Sequence, residues 1–81
     1  DPLEEELRER LNEFRTRTYK EKGIKSYEVF NNKERDAIVN KKPRTVEELY
    51  KFYCFTVHPR LKLKMYGQSV VDIVVSVYKQ R

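Results

Sequence analysis

Cys54 and His58 are the residues of this 81-residue chain whose types could do covalent or metal chemistry, and they lie four apart. A thiol beside an imidazole can act as a nucleophile, and both groups ligate zinc. Two donors fall short of the four that a structural zinc site needs, however. A catalytic pair would also need a pocket that so short a chain can hardly enclose. Glu47 and Glu48 are adjacent carboxylates, explained more simply as a helix cap and a complement to a helix dipole. The sequence contains neither a phosphate-cradling glycine loop nor a helicase ATPase motif, so this chain is not expected to hydrolyse ATP or to act as an enzyme. No cofactor or metal is expected.

The cationic side chains carry more. Lys20, Lys22 and Lys25 stand beside Tyr27, and Lys41, Lys42 and Arg44 form a second group with Arg60, Lys62 and Lys64. Cations track phosphates and rings stack on bases of any sequence, which is the usual design for single-stranded nucleic acid. Tyr27 is the first candidate for stacking, because Val29 and Phe30 already supply the local core. Tyr50 and Tyr53 are weaker stacking candidates, read first as core or rim. The design requires the cations to converge, once the helices pack, into one continuous strip beside an available ring.

Composition agrees with a polyanionic partner. The net charge is +5, yet residues 1–14 carry net −4 and residues 15–81 net +9. A basic body with an acidic end suits nucleic acid. One cysteine excludes an internal disulfide and points to a reducing, intracellular setting, cytoplasm, nucleoid or nucleus according to source. The start shows no secretory signal, and the run Val70 to Val77 is too short and too interrupted to span a bilayer. The chain is read as one domain over 1–81, a monomer, and a fragment of a larger protein, since it starts abruptly inside a helical pattern and ends on Lys79-Gln80-Arg81.

The elements that must position these groups are mostly helical. Leu3, Leu7, Leu11 and Phe14 recur at helical spacing, with Asp1 as N-cap, Pro2 in the first turn and Gly23 as C-cap. Ser26 to Phe30 reads as a short helical turn. Asn31 or Asn32 caps a second helix, with Glu34 completing a capping box and Ile38 and Val39 facing inward. Asn40 to Arg44 is a basic loop, and Thr45-x-x-Glu48 opens a third helix whose buried side is Leu49 and Phe52. The last third is ambiguous. Leu61, Leu63 and Met65 alternate, as do Val71, Ile73, Val75 and Val77, so propensity alone allows a three-stranded meander. Leu63, Tyr66, Val70, Val74 and Val77 equally fall on one helical face, Pro59 suits a first helical turn, and no Asn-Gly or Asp-Gly marks a hairpin.

Ile24-Lys25-Ser26-Tyr27-Glu28-Val29-Phe30-Asn31-Asn32, followed by Pro43-Arg44-Thr45-Val46-Glu47-Glu48-Leu49 and then Tyr66-Gly67, resembles the helicase and ribonuclease D C-terminal (HRDC) domain. The resemblance runs from about Leu3 to Tyr78, and it decides the last third in favour of helix. It implies an all-α bundle of about four to five helices, appended to a RecQ-like DNA helicase or an RNase D-like exonuclease. Tyr27 falls on the family tyrosine. Three features depart from the family pattern: Lys25-Ser26 replace a proline pair, Arg35 stands at an apolar place, and Val57-His58-Pro59 occupy the place of a Gly-x-Gly hairpin. Without those glycines, binding should rest on side chains rather than on backbone amides.

The implied role is accessory. The module would tether single-stranded or branched DNA, with RNA possible as in RNase D-like enzymes, beside the helicase core of the same chain. The alternative is a protein-docking module, motivated by the acidic first helix and the aromatic Tyr50 to Phe55 segment. An exposed apolar patch there, with the cations scattered, would favour docking.

Overall fold

The computed structural model describes residues 1–79, and Gln80 and Arg81, part of the terminal Lys79-Gln80-Arg81 read above, lie outside them. Five helices follow one another: α1 (Pro2–Lys22), α2 (Ser26–Val29), α3 (Asn32–Lys41), α4 (Val46–Lys51) and α5 (Pro59–Lys79). The described residues contain no strand, so the all-α expectation holds and the meander is excluded.

Local chemistry sets the helix ends. The Leu3 N–H donates to Asp1 Oδ1 (2.9 Å) with Pro2 in the first turn, and Gly23 closes α1 in the left-handed region (φ 66°). At α3 the capping box is complete: the Glu34 N–H donates to Asn31 Oδ1 (2.8 Å) and the Asn31 N–H to Glu34 Oε1 (2.9 Å). At α4 the box is half as expected. Thr45 Oγ1 accepts from the Glu48 N–H (3.0 Å), but the Glu48 carboxylate reaches one residue further back, to the Arg44 N–H (2.8 Å). Helix α3 also runs to Lys41, past the expected start of the basic loop, and ends where Lys42 takes φ 52°.

Helices α1 and α5 lie antiparallel, as three contacts show in order: Arg10 Nη1 donates to Ser76 Oγ (3.0 Å), Phe14 meets the Tyr66 ring edge-on (6.3 Å), and the Lys22 ammonium sits 5.2 Å from the same ring. Leu7 and Leu11 from α1 and Val70, Val74 and Val77 from α5 are fully or almost fully buried between them. Phe30 stacks between Phe14 (6.4 Å) and Phe55 (6.5 Å), tying the α2 turn and the 52–58 loop into that core. The out-of-pattern Arg35 is accounted for on the half-buried α1/α3 seam. There it donates to Asn12 Oδ1 (3.2 Å), which Arg15 also reaches (3.3 Å), and to Asp36 (2.9 Å), replacing an apolar contact with a polar one.

Each long helix has 21 residues, about 32 Å of rise, and the molecule's longest dimension is 35 Å. The two ends of α5 therefore mark the two ends of the molecule.

Candidate nucleic-acid interface

Helix α2 is one turn long and cannot hold itself together. It is fixed from both sides: Val29 and Phe30 plug the core, and the Lys25 N–H donates to Glu28 Oε2 (2.8 Å) at its start. With Val29 buried, Tyr27 is left outward and is 58% exposed. It forms one wall of a groove of about 300 Å³, whose other wall is Val57 and His58 from the loop and Leu61 and Met65 from α5, over a floor of Tyr66 and Lys62. Tyr27, Val57, Leu61 and Met65 are four of the six large apolar side chains that the described residues leave exposed.

Cations stand beside this groove from the end of α1 and the start of α2. Lys22 reaches it over the Tyr66 ring and Lys25 opens α2, whereas Arg60 and Lys64, exposed on the first turns of α5, lie about 200° round that helix from the floor residues Lys62 and Tyr66. One acid, Glu28, also lines it. Lys20 is exposed on α1, but two residues on a helix are about 200° apart, so it does not share the side of Lys22.

The second expected cluster does not assemble. Lys42 donates to Glu4 Oε2 (2.7 Å) and lies 5.9 Å from the Tyr78 ring, while Arg44 borders a shallow hollow with Val75, Tyr78 and Lys79. That is the far end of α5, some 14 to 18 residues and about 21–27 Å of helix from Arg60 and Lys64. Lys41 is exposed at the end of α3, and its charge acts on Cys54. The continuous cationic strip is therefore corrected to two groups of cations at opposite ends of α5. The hydrogen bond and charge of Lys42 hold the Glu4 carboxyl below its ordinary range.

Lys62 is a second correction. It is 3% exposed, and its ammonium donates to Glu34 Oε1 (2.7 Å). Glu34, also buried, accepts on its other oxygen the N–H groups of Thr56 (2.7 Å) and Val57 (3.0 Å). Burial alone would raise the Glu34 carboxyl, but the bond from Lys62 and those from Val57, Asn31 and Thr56 outweigh it and hold the group below its ordinary value. Lys62 is thus committed to an internal anion and is withdrawn from the phosphate contacts.

The same geometry explains the missing glycine hairpin. The loop turns without glycine, through left-handed Tyr53 (φ 56°) and His58 (φ 47°), and the amides of Thr56 and Val57 point at Glu34 rather than outward. Both amides are thus satisfied by a carboxylate from within the chain. Sequence reading saw Glu34 only as a cap, because its other partners lie 22 to 28 residues away.

Tyr50 and Tyr53, read as core or rim, are 54% and 78% exposed. Arg10 and Arg17 line a polar hollow on the α1/α5 seam that the sequence did not single out, with Glu13 between them. Cys54 is fully buried, its thiol pushed up to about 11 by burial, whereas His58 is exposed, so the pair has no shared site. Among the described residues, no three His, Cys, Asp or Glu side chains group as metal ligands, and no helix is long and apolar enough to cross a membrane.

Comparison with curated proteins and with solved structures gave no match. The family model of the HRDC domain, a small non-catalytic accessory domain, matches residues 4–74. That span takes in the α2 turn with Tyr27, the α4 start and the whole groove. A match over all but the first three and last seven residues, on a five-helix bundle with those elements in order, places the chain in the HRDC domain family.

Proposed function

We propose that this chain is the accessory nucleic-acid-binding module of a RecQ-like DNA helicase, holding single-stranded or branched DNA in the groove beside Tyr27. One observation carries the reading: a largely exposed ring stands on a groove whose floor residue Tyr66 lies under the Lys22 ammonium, with Lys25 two residues before that ring and Arg60 and Lys64 exposed at the same end of the molecule. Bases stack on Tyr27 and slide against Leu61 and Met65, while the cations follow the backbone. Sequence-independent contacts of this sort give dissociation constants of about 10⁻⁴ to 10⁻⁶ M at physiological salt. Such weak binding suffices for a tethered module, because a short linker sets an effective concentration in the millimolar range. The chain binds and orients the strand; the parent enzyme does the reaction.

Titration of fluorescein-labelled oligothymidylate at low salt tests this. Tyr27→Ala should weaken binding roughly five- to 150-fold, the loss of one stacked base. Binding that does not saturate, or that is indifferent to both Tyr27→Ala and Lys25→Glu, would remove the reading. Repeating the titration with oligouridylate decides between DNA and an RNA-binding module of an RNase D-like exonuclease.

A second reading has one observation in its favour. The exposure of Tyr50 and Tyr53, with Lys42 and Arg44 set apart from the groove, fits a module that docks on the catalytic core of its own parent.

A further inference from the structure

Tyr53 combines two features seldom found together. Its backbone is held in the left-handed region (φ 56°), where a bulky side chain is disfavoured, and its ring is 78% exposed. The ring gains little from packing in that position, so burial does not explain its presence there. The fold fixes the conformation from both sides: the Tyr53 N–H donates to the Tyr50 carbonyl (3.1 Å), and the next residue, Cys54, is buried with its N–H on the Leu49 carbonyl (3.2 Å). Tyr50, one turn earlier, is also exposed. Two rings are thus presented outward from a short, rigid corner.

Their surroundings are cationic. Lys51 is exposed between them in sequence, and Lys41, exposed at the end of α3, lies near enough to Cys54 for its charge to act on the thiol. Glu47, one turn before Tyr50 and Lys51, is the acid on the same short helix that is exposed, while Glu48 is engaged with the Arg44 N–H. Exposed rings with an exposed lysine between them in sequence suit a polyanion carrying flat bases better than a protein surface, which would need its own acids to answer the charge.

The corner is also continuous with the groove. Val57 on the groove wall comes four positions after Tyr53, which bounds their spacing at about 14 Å. The intervening Cys54 and Phe55 are buried, and Glu34 pins the Thr56 and Val57 amides, so this span is held in place.

From this we infer that a single strand lying against Tyr27 continues around the 53–58 loop onto Tyr53 and Tyr50, giving the module two aromatic stations on one strand. The inference rests on the nucleic-acid reading above and adds its footprint and direction over the surface. It also turns the feature that favoured docking into part of the strand's path.

Anisotropy titrations with labelled oligothymidylates of about 4 and about 16 nucleotides, the range over which single-strand sites fall, separate the two claims. The variant is Tyr53→Asn, because asparagine tolerates the left-handed backbone and so preserves the corner. Tyr53→Asn should weaken the longer strand roughly five- to 150-fold and leave the shorter one unchanged, whereas Tyr27→Ala should weaken both. Lys51→Glu should follow Tyr53→Asn, and Glu47→Gln should tighten the longer strand only. If Tyr53→Asn and Lys51→Glu leave both lengths untouched while Tyr27→Ala weakens them, the second station is overturned and the groove stands. That result would leave the corner to a protein partner. If neither length binds the unmodified chain, both claims fall together.

Discussion

Glu34 concentrates more of this fold than any other side chain. Its carboxylate receives the Lys62 ammonium and the N–H groups of Asn31, Thr56 and Val57, all in a buried site. Removing it by Glu34→Ala leaves a buried ammonium and three amides without acceptors, which should cost about 3–5 kcal/mol. Lys62→Met should cost less, about 2 kcal/mol, because the carboxylate keeps its three backbone donors. Against a total of about 4–12 kcal/mol for a chain of this size, the first change threatens folding and the second does not. Urea denaturation of both variants measures the order, and Lys62→Met proving the worse of the two would refute it. The group is also a proton sensor of known sign. Its folded pKa is depressed, so its contribution is full above the unfolded value of about 4.3 and fades as pH drops through the folded one. The difference in urea midpoint between the unmodified chain and Glu34→Gln should be flat from about pH 5 to 8 and shrink below about pH 4.

At the scale of elements, α5 organises the molecule. It packs on both α1 and α4 and passes through Gly67, where the α4 side chain Val46 comes close. A Cβ at that glycine would meet the two Val46 methyls at 3.5 and 3.6 Å and a Leu63 methyl at 3.8 Å, which is ordinary contact. The glycine's helix is regular there, and exchanging it for alanine removes a propensity penalty of about 0.8–1.0 kcal/mol. Gly67→Ala should therefore stabilise the chain, raising Tm by roughly 2–8 °C in a calorimetric scan. A fall in Tm would show that the α4–α5 approach is tighter than these distances allow. Gly23 is the opposite case, because its positive φ is what ends α1 and nothing crowds it.

At the scale of the whole molecule, charge is divided between two ends. The groove end offers Lys22, Lys25, Arg60 and Lys64, while at the other end Glu4 already engages Lys42. Three or four phosphate contacts give a slope of log K against log salt of about −2 to −3 for a single strand. Arg44→Glu, at the far end, should leave both the slope and the low-salt affinity for an oligothymidylate nearly unchanged. Lys64→Glu should lower the affinity and flatten the slope by about 0.7. Equal effects from the two changes would mean that the strand runs the length of the bundle after all.

Helix starts and stops were open to the sequence because they are settled within three or four residues: Asp1 with Leu3, Asn31 with Glu34, Thr45 with Glu48, and Gly23 by its own freedom. Tyr27 as an exposed ring was legible for a related reason, since Val29 and Phe30 had to take the buried side of so short a turn. Helix α5 was not legible by period, because its valines satisfy a spacing of two and a helical spacing equally well. What lay beyond the sequence were pairings across 20 residues or more. A lysine in a basic run looks like a phosphate contact until Glu34, 28 positions earlier, is seen to hold it in the core. Two cationic runs look like one strip until a helix of about 32 Å is found between their ends. Charge and periodicity along a chain determine which groups are available and which turns they sit on; only packing decides which of them share a surface, because electrostatic and stacking contacts act over a few ångströms of space and take no account of sequence order.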